Sequence, residues 1–142
     1  MLPNDQECKQ EKVTEYNSII GGLQFLANNT RPDIAFAVNH LARFLTRPSD
    51  EHLQAAYRVL RYLSKEPGRG INFTRSIGNP KLEAYTDADF AADPITSRST
   101  SVSLIMVSSG PISWRSHLQR EFMLSTNEAE YLATTETCPQ LQ

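Results

Sequence analysis

The hydrophobic period of this chain changes partway along its length. Up to about residue 66 the apolar residues recur at helical spacing, and beyond about residue 80 they alternate. A helical stripe and an alternating face cannot be buried by the same kind of element, so the chain must join a helical part to a sheet-bearing part, class α+β. In the first part Val13, Tyr16, Ile20, Leu23 and Ala27, supplemented by Ile19 and Leu26, predict one helix. Gly21-Gly22 interrupts it, a pair that costs about 2 kcal/mol relative to alanine and that usually marks a close crossing or a break. Thr30-Arg31-Pro32-Asp33 predicts a second helix, with Thr30 as N-cap and Ile34, Val38, Leu41 and Leu45 on one face, stopping before Pro48. Ser49 is placed to cap a third, whose stripe is Leu53, Ala56, Tyr57, Leu60 and Leu63 and which ends at Pro67-Gly68-Arg69-Gly70.

Beyond that point Ile71-Asn72-Phe73 predicts a short strand and Gly78-Asn79-Pro80 a turn. Residues 82–87, 101–108 and 112–114 follow as strands, and strands in that succession favour an antiparallel meander. Ser125-Thr126-Asn127-Glu128 fits a capping box and opens a last helix that runs to Pro139. The chain thus divides into a polar tail (1–12), a helical segment (13–66), a linker with a short strand (67–80), a sheet with its helix (81–137) and a second tail (138–142).

The length of 142 residues suits one ordinary domain and leaves no room for a multidomain enzyme. No run approaches the ~20 apolar residues of a membrane span. Met1-Leu2-Pro3-Asn4-Asp5 lacks the basic start and apolar run of a signal peptide, so the sequence predicts a soluble, unsecreted protein, cytoplasmic or nuclear if expressed. Cys8 and Cys138 sit near opposite ends in no Cys/His cluster and are expected to be reduced, incidental thiols. His40, His52 and His117 have no metal spacing, no serine is placed for a hydrolase triad, and no phosphate loop is present, so no small-molecule substrate is indicated.

Charge is uneven. Arg31, Arg43, Arg47, Arg58, Arg61, Lys65, Arg69 and Arg75 face only Asp33, Asp50, Glu51 and Glu66 in the middle of the chain, whereas acidic residues outnumber basic ones from Ser76 onward. Arg58, Arg61 and Lys65 fall on the side of the third helix away from its apolar stripe, where they serve either as a solvated face or as contacts to a nucleic-acid backbone. In the acidic part Asp87 and Asp89 lie two apart at a strand end, which puts both carboxylates on one face about 7 Å apart. Glu130 lies in the first turns of the following helix and can approach the end of the Asp87 strand if the meander folds back on that helix. Clustered carboxylates of this kind suit Mg²⁺ or Mn²⁺. By spacing alone, Asp-Ala-Asp equally ends a strand and Glu-Ala-Glu equally solvates a helix start, where negative charge favours the dipole. Trp114 reads most simply as a strand core residue.

Residues 16–26, Thr30-Arg31-Pro32-Asp33-Ile34-Ala35-Phe36-Ala37-Val38 and residues 52–63 resemble the segment after the reverse transcriptase in copia-type (Pseudoviridae) long-terminal-repeat retrotransposon Pol polyproteins. Tyr85-Thr86-Asp87-Ala88-Asp89-Phe90-Ala91, Arg98-Ser99-Thr100-Ser101, Ile112-Ser113-Trp114 and Leu124-Ser125-Thr126-Asn127-Glu128-Ala129-Glu130-Tyr131 resemble the start of the ribonuclease H domain that follows it. The order and spacing match over about residues 13–137, and the finer pattern is similar to a yeast copia-type element. The resemblance implies an enzyme that cleaves the RNA strand of an RNA–DNA hybrid with two Mg²⁺ or Mn²⁺ ions held by four acidic residues. Asp87 and Glu130 match the first two of those positions, and the other two have no counterpart in these residues. The expectation is therefore an incomplete ribonuclease H-like fold of three antiparallel strands plus the first helix, a truncated Pol remnant. It would hold no cofactor and have no catalytic activity. Alternatives are residual non-specific binding of RNA–DNA hybrid, or docking on a full-length Pol polyprotein.

Overall fold

The computed structural model describes residues 5–74, 78–93 and 95–141, with side chains described between residues 10 and 139 of those ranges. Met1–Asn4, part of the N-terminus read above, the Cys8 side chain and Arg75 lie outside the described residues. The chain forms two compact units, Met1–Gly70 and Ile71–Gln142. Among the described residues they contain four helices and a three-stranded antiparallel sheet, the α+β class that the change of period requires.

The first unit is built from α1 (Asp5–Asn29), a 3-10 turn (Pro32–Ile34), α2 (Ala35–Ala42) and α3 (Asp50–Lys65). Its core collects Tyr16, Ile20, Leu23 and Ala27 from α1, Ile34, Val38 and Leu41 from the turn and α2, and Ala56 from α3. Tyr16 is fully buried, and its hydroxyl donates to the Leu41 carbonyl at 2.7 Å. That bond joins α1 to α2 and satisfies a polar group that could not otherwise be buried cheaply. Burial also pushes the Tyr16 phenol above its ordinary pKa.

Four sequence expectations change in this unit. The expected tail 1–12 is helical from Asp5, because residues 6–12 are mostly straight-chain helix formers whose polarity hides them from a periodicity argument. Gly21-Gly22 causes neither a crossing nor a break: both glycines are exposed within a continuous helix, and an added Cβ would meet nothing within 4 Å. Thr30 does not cap the second helix. Arg31 occupies that position with no side-chain cap bond, and α2 ends at Ala42, well before Pro48. On α3 the inner stripe runs through Leu53, Ala56, Val59 and Leu63, with Leu60 exposed.

Arg31 is 5% exposed although it is charged. Its Nε donates to Asp33 Oδ1 at 3.0 Å and its Nη2 to Asp33 Oδ2 at 2.8 Å, a two-pronged pair that Tyr62 completes by donating to Oδ2 at 2.9 Å. The guanidinium lies 5.7 Å from the Tyr62 ring centroid, and Arg69 donates to the Tyr62 hydroxyl at 3.1 Å. This cluster ties the turn before α2 to the end of α3. At the other end of α3 the Ser49 side chain accepts from His52 N, and His52 Nδ1 accepts from Ser49 N at 3.0 Å, a capping box in which histidine replaces the usual glutamate.

The second unit is the meander β1 (Leu82–Asp89), β2 (Thr100–Val107) and β3 (Gly110–Leu118), in the order β1-β2-β3, followed by α4 (Thr126–Thr137) and a short 3-10 turn. Ile71–Phe73 is not a strand. Thr74 instead exchanges hydrogen bonds with the Ser109 hydroxyl at 2.9 and 3.0 Å, and Phe73 lies so close to Gly110 that a Cβ there would meet its ring at 2.4 Å. In the β1–β2 connection Asp93 is 4% exposed, and its carboxylate accepts from Thr96 N at 3.0 Å. That local turn holds Ala91 and Ser97 at positive φ, 52° and 51°.

Two outcomes follow for the first unit. Replacing Gly21 or Gly22 by alanine should stabilise it by ~1 kcal/mol each, since only backbone entropy changes, measured as an increase in the urea midpoint. Asp33 is held below the ordinary carboxylate range, chiefly by its hydrogen bonds from Arg31. Its stabilising contribution is complete above about pH 4 and is lost as pH falls through the lowered value. Asp33→Asn should therefore cost ~2 kcal/mol at neutral pH and flatten the acid limb of the urea-midpoint curve below about pH 4.

Candidate functional site

The site is set by how α4 meets the sheet. Ala88 packs against Ala129 and Ala133, and Thr86 Oγ1 lies 3.4 Å from Thr134 Oγ1. The facing side chains are small, so the helix seats directly on the C-terminal half of β1. The Ser125 hydroxyl accepts from Glu128 N at 3.3 Å, while the Glu128 carboxylate reaches back to Leu124 N at 2.8 Å, one residue beyond the partner a capping box would give it.

A residue not singled out from sequence anchors this contact. Gln119, fully buried just after β3, donates through Nε2 to Ser101 Oγ at 2.8 Å and to the Ala129 carbonyl at 3.0 Å, while its backbone N–H bonds Ser99 O at 2.8 Å. The Ala129 carbonyl can only accept, which fixes the orientation of the amide. Nothing in the pattern around a single glutamine after a strand distinguishes it from a solvated one. His117 Nε2, 3.0 Å from Glu136 Oε2, adds a second link between β3 and α4.

Strand alternation decides where the acidic residues point. Thr86 and Ala88 face α4, so Glu83, Tyr85, Asp87 and Asp89 project from the opposite face. Asp87 and Asp89 do share one face, as the spacing predicts, and both are exposed. Asp87 Oδ1 accepts from Ala88 N at 2.9 Å. Glu130 is exposed on α4, one turn before Thr134 and so above the Ala88 end of β1. Its helix thus reaches the end of the Asp87 strand, but from the side away from the Asp87 carboxylate. Among the described residues no three His, Cys, Asp or Glu side chains gather to hold a metal ion. The two carboxylates present do not by themselves fit a Mg²⁺ or Mn²⁺ pair, which needs converging oxygens. Lys81 pairs with Glu83, whose carboxyl it holds below the ordinary range, and Tyr85 donates to the same carboxylate at 3.4 Å.

The three candidate basic contacts belong to the first unit. Arg58, Arg61 and Lys65 are exposed along one side of α3 and form a cationic stripe. Arg31 does not contribute to it, since its charge is spent on Asp33. Trp114 is half-buried in β3 opposite Leu104. Cys138 is a free, exposed thiol, and among the described residues no helix is long and apolar enough to cross a membrane.

The chain is similar to the retrovirus-related Pol polyprotein from transposon RE1 of Arabidopsis thaliana, 44% identical over 129 residues that make up 91% of this chain and 9% of the relative. It is 46% identical over 138 residues to the corresponding polyprotein from transposon TNT 1-94 of Nicotiana tabacum, covering 96% of this chain and 10% of that one. The secreted RxLR effector protein 161 of Plasmopara viticola is 45% identical over 125 residues, 88% of this chain and 87% of the effector. The chain therefore spans about a tenth of the transposon polyproteins and most of a relative of comparable length. No family profile and no solved structure matches it.

Removing the clamp tests its role. Gln119→Ala leaves Ser101 Oγ and the Ala129 carbonyl without this partner and should destabilise the second unit by ~2–3 kcal/mol. Amide exchange should accelerate more in α4 than in the β2–β3 ladder; equal acceleration throughout would show that Gln119 supports the unit without specifically seating the helix.

Proposed function

We propose that this chain, which is similar to retrotransposon Pol polyproteins, is a copia-type Pol remnant that does not cleave nucleic acid by itself. Residues 13–66 correspond in this reading to the segment after the reverse transcriptase, and residues 81–137 to the first strands and first helix of a ribonuclease H-like unit. The observation that carries it is the collinear match, 44% and 46% identity over 91% and 96% of the chain, to two transposon Pol polyproteins. The copia subtype rests on the motif order, and relatives from plants and an oomycete do not single out a yeast source.

The geometry supports inactivity of these 142 residues. A two-metal mechanism needs carboxylates that converge on both ions, whereas strand alternation turns Asp87 to the face of β1 opposite the one that meets α4, the helix that carries Glu130. The purified chain should not cleave a labelled RNA–DNA hybrid above the buffer rate in Mg²⁺ or Mn²⁺. Robust metal-dependent cleavage that Asp87→Asn abolishes would refute the proposal.

The exposed stripe Arg58, Arg61 and Lys65 supports a second reading, residual and sequence-independent binding of nucleic acid. Three phosphate contacts would give a log–log salt slope of about −2.7 on duplex DNA. Arg58→Ala with Arg61→Ala should make that slope shallower by about 2. A flat salt response, or binding unchanged in the double variant, would exclude the stripe as the contact.

A further inference from the structure

The two edges of the sheet are protected differently. Along β3 the ladder is broken by a register shift at Ile105/Met106, and Pro111 withholds an N–H from the edge. Both devices discourage the addition of another strand. β1 has neither. Its eight residues pair with β2 in continuous register from Leu82↔Val107 to Asp89↔Thr100, contain no proline, and are mostly exposed. Among the described residues β1 pairs with β2 alone, so its outer N–H and C=O groups form a template one strand long.

We propose that the occupant of this edge, in the 142-residue chain, is β1 of a second copy, paired antiparallel about a two-fold axis through Ala84. An axis perpendicular to the sheet keeps like faces together, so opposed residues must share a face and the axis must pass through a residue. The charges on β1 then select the register among axes that fall inside the strand, since one through Leu82, its first residue, would pair almost none of it. An axis through Glu83 opposes Glu83 to itself, one through Tyr85 opposes Glu83 to Asp87, and one through Thr86 opposes Glu83 to Asp89. Each places like charges directly across from one another, which is destabilising. The axis through Ala84 instead sets Lys81 against Asp87 on both sides of the dyad and Glu83 against Tyr85, whose phenol already donates to a Glu83 carboxylate within the chain.

The same register brings Leu82 opposite Thr86, the residue beside Thr134 of α4. Leu82 is 51% exposed. Pairing carries each Leu82 beside its partner's Thr86, on the face of β1 that meets α4, where its side chain gains cover. The two α4 helices sit over the Ala88 ends of their strands, diagonally across the dyad, so they do not obstruct it.

Sedimentation across a concentration series should show a reversible dimer. Asp87→Lys and Lys81→Asp should each weaken it by about tenfold or more, and the double reversal should restore it. In a background lacking Cys8 and Cys138, Ala84→Cys should cross-link under mild oxidation because it meets itself at the dyad, whereas Thr86→Cys should not. A chain that stays monomeric at every concentration overturns the proposal. So does an oligomer that both single reversals leave intact, or one that cross-links as readily through position 86, because either places the contact elsewhere.

Discussion

The contact between Ala88 and the Ala129/Ala133 face of α4 governs the second unit. Short side chains on both sides let the helix approach the sheet closely, and a close approach brings strand hydroxyls and helix carbonyls out of water together. Those groups then need partners. Gln119 supplies one to Ser101 and one to the Ala129 carbonyl, and Ser99 and Asp93 are drawn into the same polar interior. The unit is therefore held by a small apolar contact surrounded by obligatory hydrogen bonds, a design in which losing a single amide matters more than losing a methyl group.

The first unit solves a similar problem with charge. Arg31 is buried at the point where the chain leaves α1, and that position is tenable only because Asp33, two residues on, offers both carboxylate oxygens and Tyr62 returns from α3 to complete the cluster. The Arg-Pro-Asp sequence is thus a folding element: proline fixes the turn, and the flanking ions fasten it to a neighbouring helix. Three of the remaining positive charges in this half, Arg58, Arg61 and Lys65, stay on the outside of α3, where salt screens them.

Much of this was legible in the residues, and the exceptions share a cause. Ser49 and Ser125 announce their helices because a cap depends only on neighbours, and the three strands emerge from alternation together with turn residues. The helicity of residues 5–12 is invisible to periodicity because their sequence carries no apolar stripe. Leu60 and Val59 differ by one step around α3, a rotation that only packing against α1 and α2 decides. Arg31, Gln119 and the Thr74–Ser109 link depend on partners distant in sequence or on burial that no local pattern encodes. For the acidic residues, spacing puts Asp87 and Asp89 on one face of β1 but leaves open which face α4 covers, and the helix meets the face of Thr86 and Ala88.

The attachment of Thr74 to Ser109, with Phe73 against Gly110, has a kinetic consequence. It closes a loop spanning β1 and β2, so the entry to the second unit is secured only after the meander has formed. The helices of the first unit need mostly local contacts and a short αα connection, whereas the sheet must close long loops before its contacts stabilise it. As synthesis or refolding proceeds, the helical unit should assemble first, leaving an interval in which β1 is exposed beside unfolded chain.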